Sequence, residues 1–243
     1  MKTEVIYRSE NVTLTTYINH VSPEMPYLDI RPAILVLPGG AYAFCSDREA
    51  EPIALEFVAK GYNAFVLRYS LKTDFSAPLE DAQWALKLIR DRAEEFHIDP
   101  NKVAAIGFSA GGHLTAALST ISDIKPDASI LGYPCTLEAM NDKLAAKGAP
   151  SLNDKVTADT PPTFIISASD DSLVPIENSL EYGLALRRNG VPFEMHVFAK
   201  GEHGFATATE TTNTPDRVKE YGFLAKRWIK ICIDWLNFVF SDK

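Results

Sequence analysis

The feature that most narrows what this chain can fold into is the segment VAAIGFSAGGHL, residues 103–114. Residues 103–108 carry no charge and suit a strand covered on both faces of a parallel sheet. The turn Gly107-Phe108-Ser109-Ala110-Gly111 follows, and residues 110–120 read as a helix. A GxSxG turn between a buried strand and a helix holds its serine in a strained backbone conformation, and the small flanking residues let neighbouring segments close around it. Ser109 is therefore a candidate nucleophile; the competing reading is a small residue in a tight turn.

The rest of the chain repeats the alternation. Residues 4–8 and 12–17 read as a hairpin around Ser9-Glu10-Asn11. Strands are expected at 33–37 (AILVL), 64–69, 103–108, 128–133 (ASILGY), 163–168 (TFIISA) and 193–198 (FEMHVF). Helices are expected at 49–60, from Ser76 and Pro78 to about His97, at 110–120, at 176–189 and at 217–240, the second with Leu79, Ala82, Leu86, Ile89 and Ala93 on one stripe. Short buried strands alternating with helices predict an α/β fold, with a mostly parallel central sheet and helices on both faces. With 243 residues, 46% hydrophobic, one domain over 1–243 can bury a large core. Residues 135–159 have weak periodicity and several Gly, Pro, Asn and Asp, so they are expected as an insertion over the sheet's edge, of a length that suits a small lid.

A net charge of −8 argues against nucleic-acid and anionic-membrane partners, which need clustered Lys and Arg. A small or neutral substrate fits better, and a homo-oligomer is compatible with the sequence. The opening MKTEVIYRSENVTL lacks the apolar run of a signal peptide, and no segment reaches the roughly 18 apolar residues of a membrane span. The expected location is cytoplasmic. Cys45, Cys135 and Cys232 are far apart and lack CxxC spacing, so no zinc site or disulfide framework is indicated, and nothing near Cys45 resembles a paired base.

A serine nucleophile needs a base, normally a histidine oriented by a carboxylate. Position sorts the five histidines. His20 precedes the sheet, His97 ends a surface helix, His196 lies inside a strand, and His113 is four residues past Ser109 on the same helix, near the turn but short of the serine oxygen. His203 lies in Lys200-Gly201-Glu202-His203-Gly204-Phe205, a glycine-flanked loop after the last expected strand, where a side chain can project over the sheet's carboxyl edge. Asp170 and Asp171 follow the 163–168 strand at that same edge and compete for the orienting role: one can bind loop amides or cap the next helix while the other reaches the histidine. Backbone donors for an oxyanion are offered by Ala110 and by Pro38-Gly39-Gly40-Ala41-Tyr42. That glycine pair also suits a simple tight turn, but not a phosphate loop, since neither GxGxxG nor the lysine-containing pattern is present.

Taken together, the PGGAY segment, Ser109, Asp171 and His203-Gly204-Phe205 resemble the α/β-hydrolase fold over nearly the whole chain. More narrowly, the sequence resembles the small esterases related to acetyl-xylan esterases and hormone-sensitive-lipase-like enzymes, whose oxyanion segment reads HGGG or PGGG and then an aromatic; here Ala41 takes the third glycine position. Ser46-Asp47-Arg48-Glu49-Ala50-Glu51-Pro52 also looks like that group, and DDSLVP resembles its acid loop, which selects Asp171. The resemblance implies a serine carboxylesterase with Ser109, His203 and Asp171 as its triad, the amides of Gly40, Ala41 and Ala110 as oxyanion donors, Tyr42 bordering the acyl or leaving-group pocket, and no metal or cofactor. Short-acyl esters are the expected substrates, among them acetyl groups on sugars or xylo-oligosaccharides. An arylformamidase-like amide hydrolase is the alternative within the fold, peptidase activity a weaker third, and a non-catalytic hydrolase-fold binding protein the reading from another class.

Overall fold

A computed structural model describes residues 1–241. Among these, eight strands form one sheet: β1 (Lys2–Tyr7), β2 (Thr13–Ile18), β3 (Arg31–Leu37), β4 (Asn63–Arg68), β5 (Ile98–Phe108), β6 (Ala128–Gly132), β7 (Thr163–Ala168) and β8 (Phe193–Phe198). Their spatial order is β1-β2-β4-β3-β5-β6-β7-β8. The pairs β1–β2 and β2–β4 are antiparallel and the remaining pairs parallel. Helices α1 (Glu51–Val58), α2 (Ser76–Asp91), α3 (Ala110–Thr120) and α4 (Glu177–Arg188) connect the strands, and a helix at Trp228–Ser241 follows them.

Side-chain pattern dictates the layering. Every residue of β6 and β7 is buried, Ser129, Thr163 and Ser167 included, whereas β2 alternates between buried and half-buried and the edge strand β1 has no fully buried residue. Along β3, Ala33, Leu35 and Leu37 pack with residues of α2 and α3, such as Leu86 and Leu114. Ile34 and Val36 point the other way, into a core with Phe57 of α1 and Trp228, Ile233 and Leu236 of the C-terminal helix. Each such buried Leu or Ile contributes about 1.5–3 kcal/mol. Two covered faces hold the strands, and hence the loops at their carboxyl ends, in fixed register.

The sheet order places the site. From β3 the chain steps to β4 on one side and then to β5 on the other, so the order reverses between β3 and β5, the position where open α/β sheets bind ligands beyond their carboxyl ends. Leu37 is paired with Gly107 there, which sets the Pro38-Gly39-Gly40 turn beside the Ser109 turn.

Two expectations need correction. The single helix expected over 217–240 is broken into Pro215–Arg217, a π-helical Val218–Gly222, Phe223–Ala225 and then Trp228–Ser241. The 205–208 loop imposes the break: a Cβ on Gly222 would lie 2.7 Å from the Ala208 carbonyl oxygen, and the Trp228 indole N–H donates to the Ala206 carbonyl at 2.9 Å. The second is the 135–159 segment. It holds two short 3-10 turns, Glu138–Lys143 and Asn153–Lys155, and sends Met140, Leu144, Leu152 and Val156 into the core. It contributes no residue to the cavity beside Ser109, and its Ala145 N–H donates to the Ala41 carbonyl at 2.7 Å. The segment turns its apolar residues into the core, where they are worth more than spread over water, and holds the Gly40-Ala41 turn through the exposed Ala145 instead of lining the cavity as a lid.

Candidate active site

The Ser109 turn is built by close approach of backbones. Ser109 has φ 53° and ψ −118°, a conformation that non-glycine residues rarely adopt. It is held by its own N–H donating to the Gly132 carbonyl at 2.8 Å and by its carbonyl accepting from His113 N–H at 2.9 Å. A side chain on Gly107 would collide with the Gly111 carbonyl and with Thr115, and one on Gly111 with the Leu37 carbonyl. Both positions therefore require glycine for α3 to start this close to the strands.

The structure brings Ser109, His203 and Asp171 together. His203 Nε2 lies 2.9 Å from Ser109 Oγ, and His203 Nδ1 lies 2.7 Å from Asp171 Oδ2. An ionised carboxylate can only accept, so the Nδ1 proton points at Asp171 and the Nε2 lone pair faces the serine hydroxyl. Asp171 is further fixed by the N–H groups of Leu173 and Val174, which donate to Oδ1 at 3.0 and 2.9 Å. The neighbouring aspartate does different work. Asp170 Oδ1 accepts from the N–H groups of Gly201 and Glu202 at 3.0 and 3.1 Å, and Lys200 Nζ lies 3.4 Å from Oδ2. Asp170 anchors the loop that carries His203, while Asp171 contacts the imidazole itself.

Gly40 (φ 125°) and Ala41 (φ 53°) turn the chain back over the end of β3 and line a cavity of about 220 Å³ with Ser109 and His203. The N–H groups of Gly40 and Ala41 donate to nothing within the described chain. The Ala110 N–H opens α3, where the first-turn amides have no intrahelical acceptor. All three amides are thus free to donate to an oxyanion.

Tyr42 is not at the cavity. It is fully buried, its hydroxyl is 2.8 Å from His113 Nδ1, and its ring packs against Tyr69 and Phe75. The positive φ at both Ala41 and Tyr42 rolls the chain so that residue 42 faces the core. Phe44, 58% exposed, lines the cavity instead, with Leu173, 55% exposed, also among its lining residues. The sequence shows two aromatics after the glycine pair, but nothing local says which one turns outward. Arg48 and Glu49 also line the cavity; they lie in the Ser46–Pro52 stretch that carries part of the esterase resemblance. Cys135 lies 3.9 Å from Ser109 Oγ, and burial pushes its thiol up to about 12, which leaves it protonated and inert. A larger cavity, about 390 Å³, sits at the opposite end of the sheet near His20 and His97. It contains no serine or cysteine.

A family model described as BD-FAE matches residues 23–134, and one described as the prolyl oligopeptidase family matches residues 140–229. MGS-M1, an alpha/beta hydrolase enzyme from a Medee basin deep-sea metagenome library, is 39% identical over 98% of both chains and superposes with a TM-score of 0.89. The chain is an α/β hydrolase. This α/β hydrolase is also similar to an acetyl ester-xyloside bifunctional hydrolase from Caldicellulosiruptor lactoaceticus, at 32% identity over 98% of this chain and 96% of that one, with a TM-score of 0.83. An acetylxylan esterase of Xylanibacter ruminicola is 34% identical over 201 residues, 73% of this chain and 42% of that protein. The hydrolase spans less than half the length of that curated relative. No helix of the described residues is long and apolar enough to cross a membrane.

Proposed function

We propose that this α/β hydrolase is a serine carboxylesterase that removes short acyl groups, acetyl first, with acetylated sugars and xylo-oligosaccharides as its substrate class. The observation that carries the reading is the line from Asp171 Oδ2 through His203 to Ser109 Oγ, at 2.7 and 2.9 Å, opening on the cavity that Gly40 and Ala41 border. Ser109 Oγ attacks the ester carbonyl while His203 Nε2 takes the hydroxyl proton, and Asp171 stabilises the imidazolium. The amides of Gly40, Ala41 and Ala110 receive the negative charge of the tetrahedral intermediate. Its collapse expels the alcohol, which takes the proton from Nε2 and leaves an acyl-serine. Water, deprotonated by the same nitrogen, then releases the acid and restores Ser109.

Size supports the acyl preference: about 220 Å³ lies below the roughly 300–1,000 Å³ of pockets that enclose drug-sized ligands. The exposed faces of Phe44 and Leu173 offer apolar surface for the C–H face of a sugar ring. The likeness to an acetylxylan esterase and an acetyl ester-xyloside hydrolase supports the carbohydrate side of the ester. In the cytoplasm such an enzyme would act on oligosaccharides already imported.

Incubation with p-nitrophenyl acetate and a fluorophosphonate probe tests the reading. Turnover and labelling are expected, both abolished by Ser109→Ala, and a protein that neither turns over nor labels would sink it. A panel of acetylated xylo-oligosaccharides, aryl esters and N-formylkynurenine then sorts substrates; fastest hydrolysis of the formamide would assign arylformamidase chemistry instead.

A further inference from the structure

One more ionisable side chain is buried at the cavity. Glu49 is 3% exposed, ends the 3-10 turn Asp47–Glu49, and lines the same cavity as Ser109 and His203. A carboxylate taken out of water without compensation costs several kcal/mol, so its partners indicate what it does. The Gly39 N–H donates to Oε2 at 3.0 Å, and the Tyr133 hydroxyl lies 2.6 Å from Oε1. The Tyr133 oxygen also accepts from the Ala206 N–H at 3.1 Å, and its single proton points at Glu49. Both carboxylate oxygens therefore accept, as those of an ionised group do.

These bonds join the turn after β3, the residue after β6 and the loop that carries His203. The approach is close throughout. A Cβ on Gly39 would lie 2.5 Å from Glu49 Oε2 and 3.1 Å from Ser109 Cβ. A Cβ on Gly204, next to His203, would lie 3.9 Å from Oε1. The Tyr133 ring meets the His203 ring edge-on with centroids 5.0 Å apart.

We propose that Glu49 is a positioning residue of the site: it fixes the Gly39-Gly40-Ala41 turn against Ser109 and adds to Asp171 a second negative charge that favours the His203 imidazolium. The inference rests on the esterase reading above. Besides Tyr133 and His203, the charged or titratable groups that face Glu49 are Arg48 from its own turn, Tyr69 after β4 and Cys135 after β6. Burial raises the Glu49 carboxyl above the usual carboxylate range, and the Tyr133 hydroxyl, His203, the Gly39 amide and Arg48 offset part of that rise. His203 itself faces Asp171 and Tyr133, and its carbonyl accepts from Arg217.

Two variants separate charge from reach. Glu49→Gln keeps the shape and removes the charge, whereas Glu49→Asp keeps the charge and withdraws it from Gly39. Hydrolysis of p-nitrophenyl acetate and labelling of Ser109 by a fluorophosphonate are followed across the acidic and neutral range, with circular dichroism confirming the fold. Both variants are expected to lose at least about tenfold in kcat and in labelling rate, with KM within about threefold of wild type. In Glu49→Gln alone, the acidic limb of both pH profiles should move to lower pH, because a negative charge facing the site has been removed. A folded Glu49→Asp protein with wild-type kcat, or a Glu49→Gln profile whose acidic limb stays in place, overturns the proposal; if Glu49→Gln does not fold, the Glu49→Asp rates decide. Labelling without turnover in the wild type would sink the esterase reading and leave the Glu49 effect measurable. A wild-type protein that takes no label overturns both.

Discussion

Two histidines close to Ser109 in space have opposite surroundings. His113 is fully buried on α3, with Nε2 2.9 Å from the Pro150 carbonyl and Nδ1 2.8 Å from the Tyr42 hydroxyl. The carbonyl can only accept, so Nε2 carries the proton and Tyr42 donates to Nδ1. No carboxylate offsets the loss of water, and burial pushes this imidazole down to about 4. His203 has a carboxylate on Nδ1 and a serine hydroxyl on Nε2, and its side chain keeps 16% exposure. The contrast teaches that the group on the far nitrogen decides an imidazole's role. A carbonyl and a hydroxyl fix a neutral ring that ties the Tyr42 turn to the 150 loop, whereas a carboxylate lets the ring take and return a proton.

Substitution can break that contrast. The largest effect is expected from His203→Ala, which should lower kcat on p-nitrophenyl acetate by about 10⁴-fold or more with little change in thermal midpoint. His113→Gln should do the reverse, keeping kcat within about tenfold while losing about 1–3 kcal/mol in urea unfolding. Equal losses of activity in two folded proteins would erase the distinction. The adjacent aspartates form a second pair. Asp171→Asn should cost about 10³–10⁴-fold in kcat, and Asp170→Asn less than about tenfold, since it loosens the histidine loop without touching the ring; the opposite ranking would reassign the acid.

The pH dependence of stability sharpens the comparison further. His113 is held at about 4 when folded, below the roughly 6.5 of an unfolded histidine, so the unfolded chain binds more protons between those values. The stability tied to the neutral ring is fully present above about pH 6.5 and is lost as the pH falls toward about 4, by about 3 kcal/mol over that window. Urea titrations of wild type and His113→Gln should show that acid-side loss in the wild type only, and parallel curves would refute it. The smallest effect is expected for Tyr42→Phe, which leaves the His113 Nδ1 acceptor unpaired. Thermal unfolding should register about 1–2 kcal/mol, with kcat changed less than about threefold.

Much of the layering was legible because it depends on neighbours in sequence. A short run rich in β-branched and aromatic residues such as 163–168 reads as a strand covered on both faces, and every residue of β7 is buried. Gly107 and Gly111 announce the turn because no other residue fits there. The C-terminal break was hidden, since it answers to contacts of Gly222 with Ala208 and of Trp228 with Ala206, in a loop that follows a separate strand. The inward course of 135–159 was equally hidden: scattered Met140, Leu144 and Leu152 look alike whether they cap a cavity or enter a core. Glu49 gave a faint signal, a carboxylate inside a stretch resembling an esterase motif, but the bonds that define it come from Gly39 and Tyr133.

By itself the sequence determined the parallel sheet, the strained serine turn and the order in which Ser109, Asp171 and His203 occur, because backbone conformation and apolar period are written over a few consecutive residues. The likeness of DDSLVP to an acid loop already pointed to Asp171, which does meet the imidazole, but the tertiary structure alone decided that Phe44 and not Tyr42 faces the cavity and that Glu49 lies beside Ser109 and His203. The direction of a side chain at a sheet's edge is set by segments distant in the chain, whose packing fixes it to within an ångström, and a one-residue change in a turn reverses it.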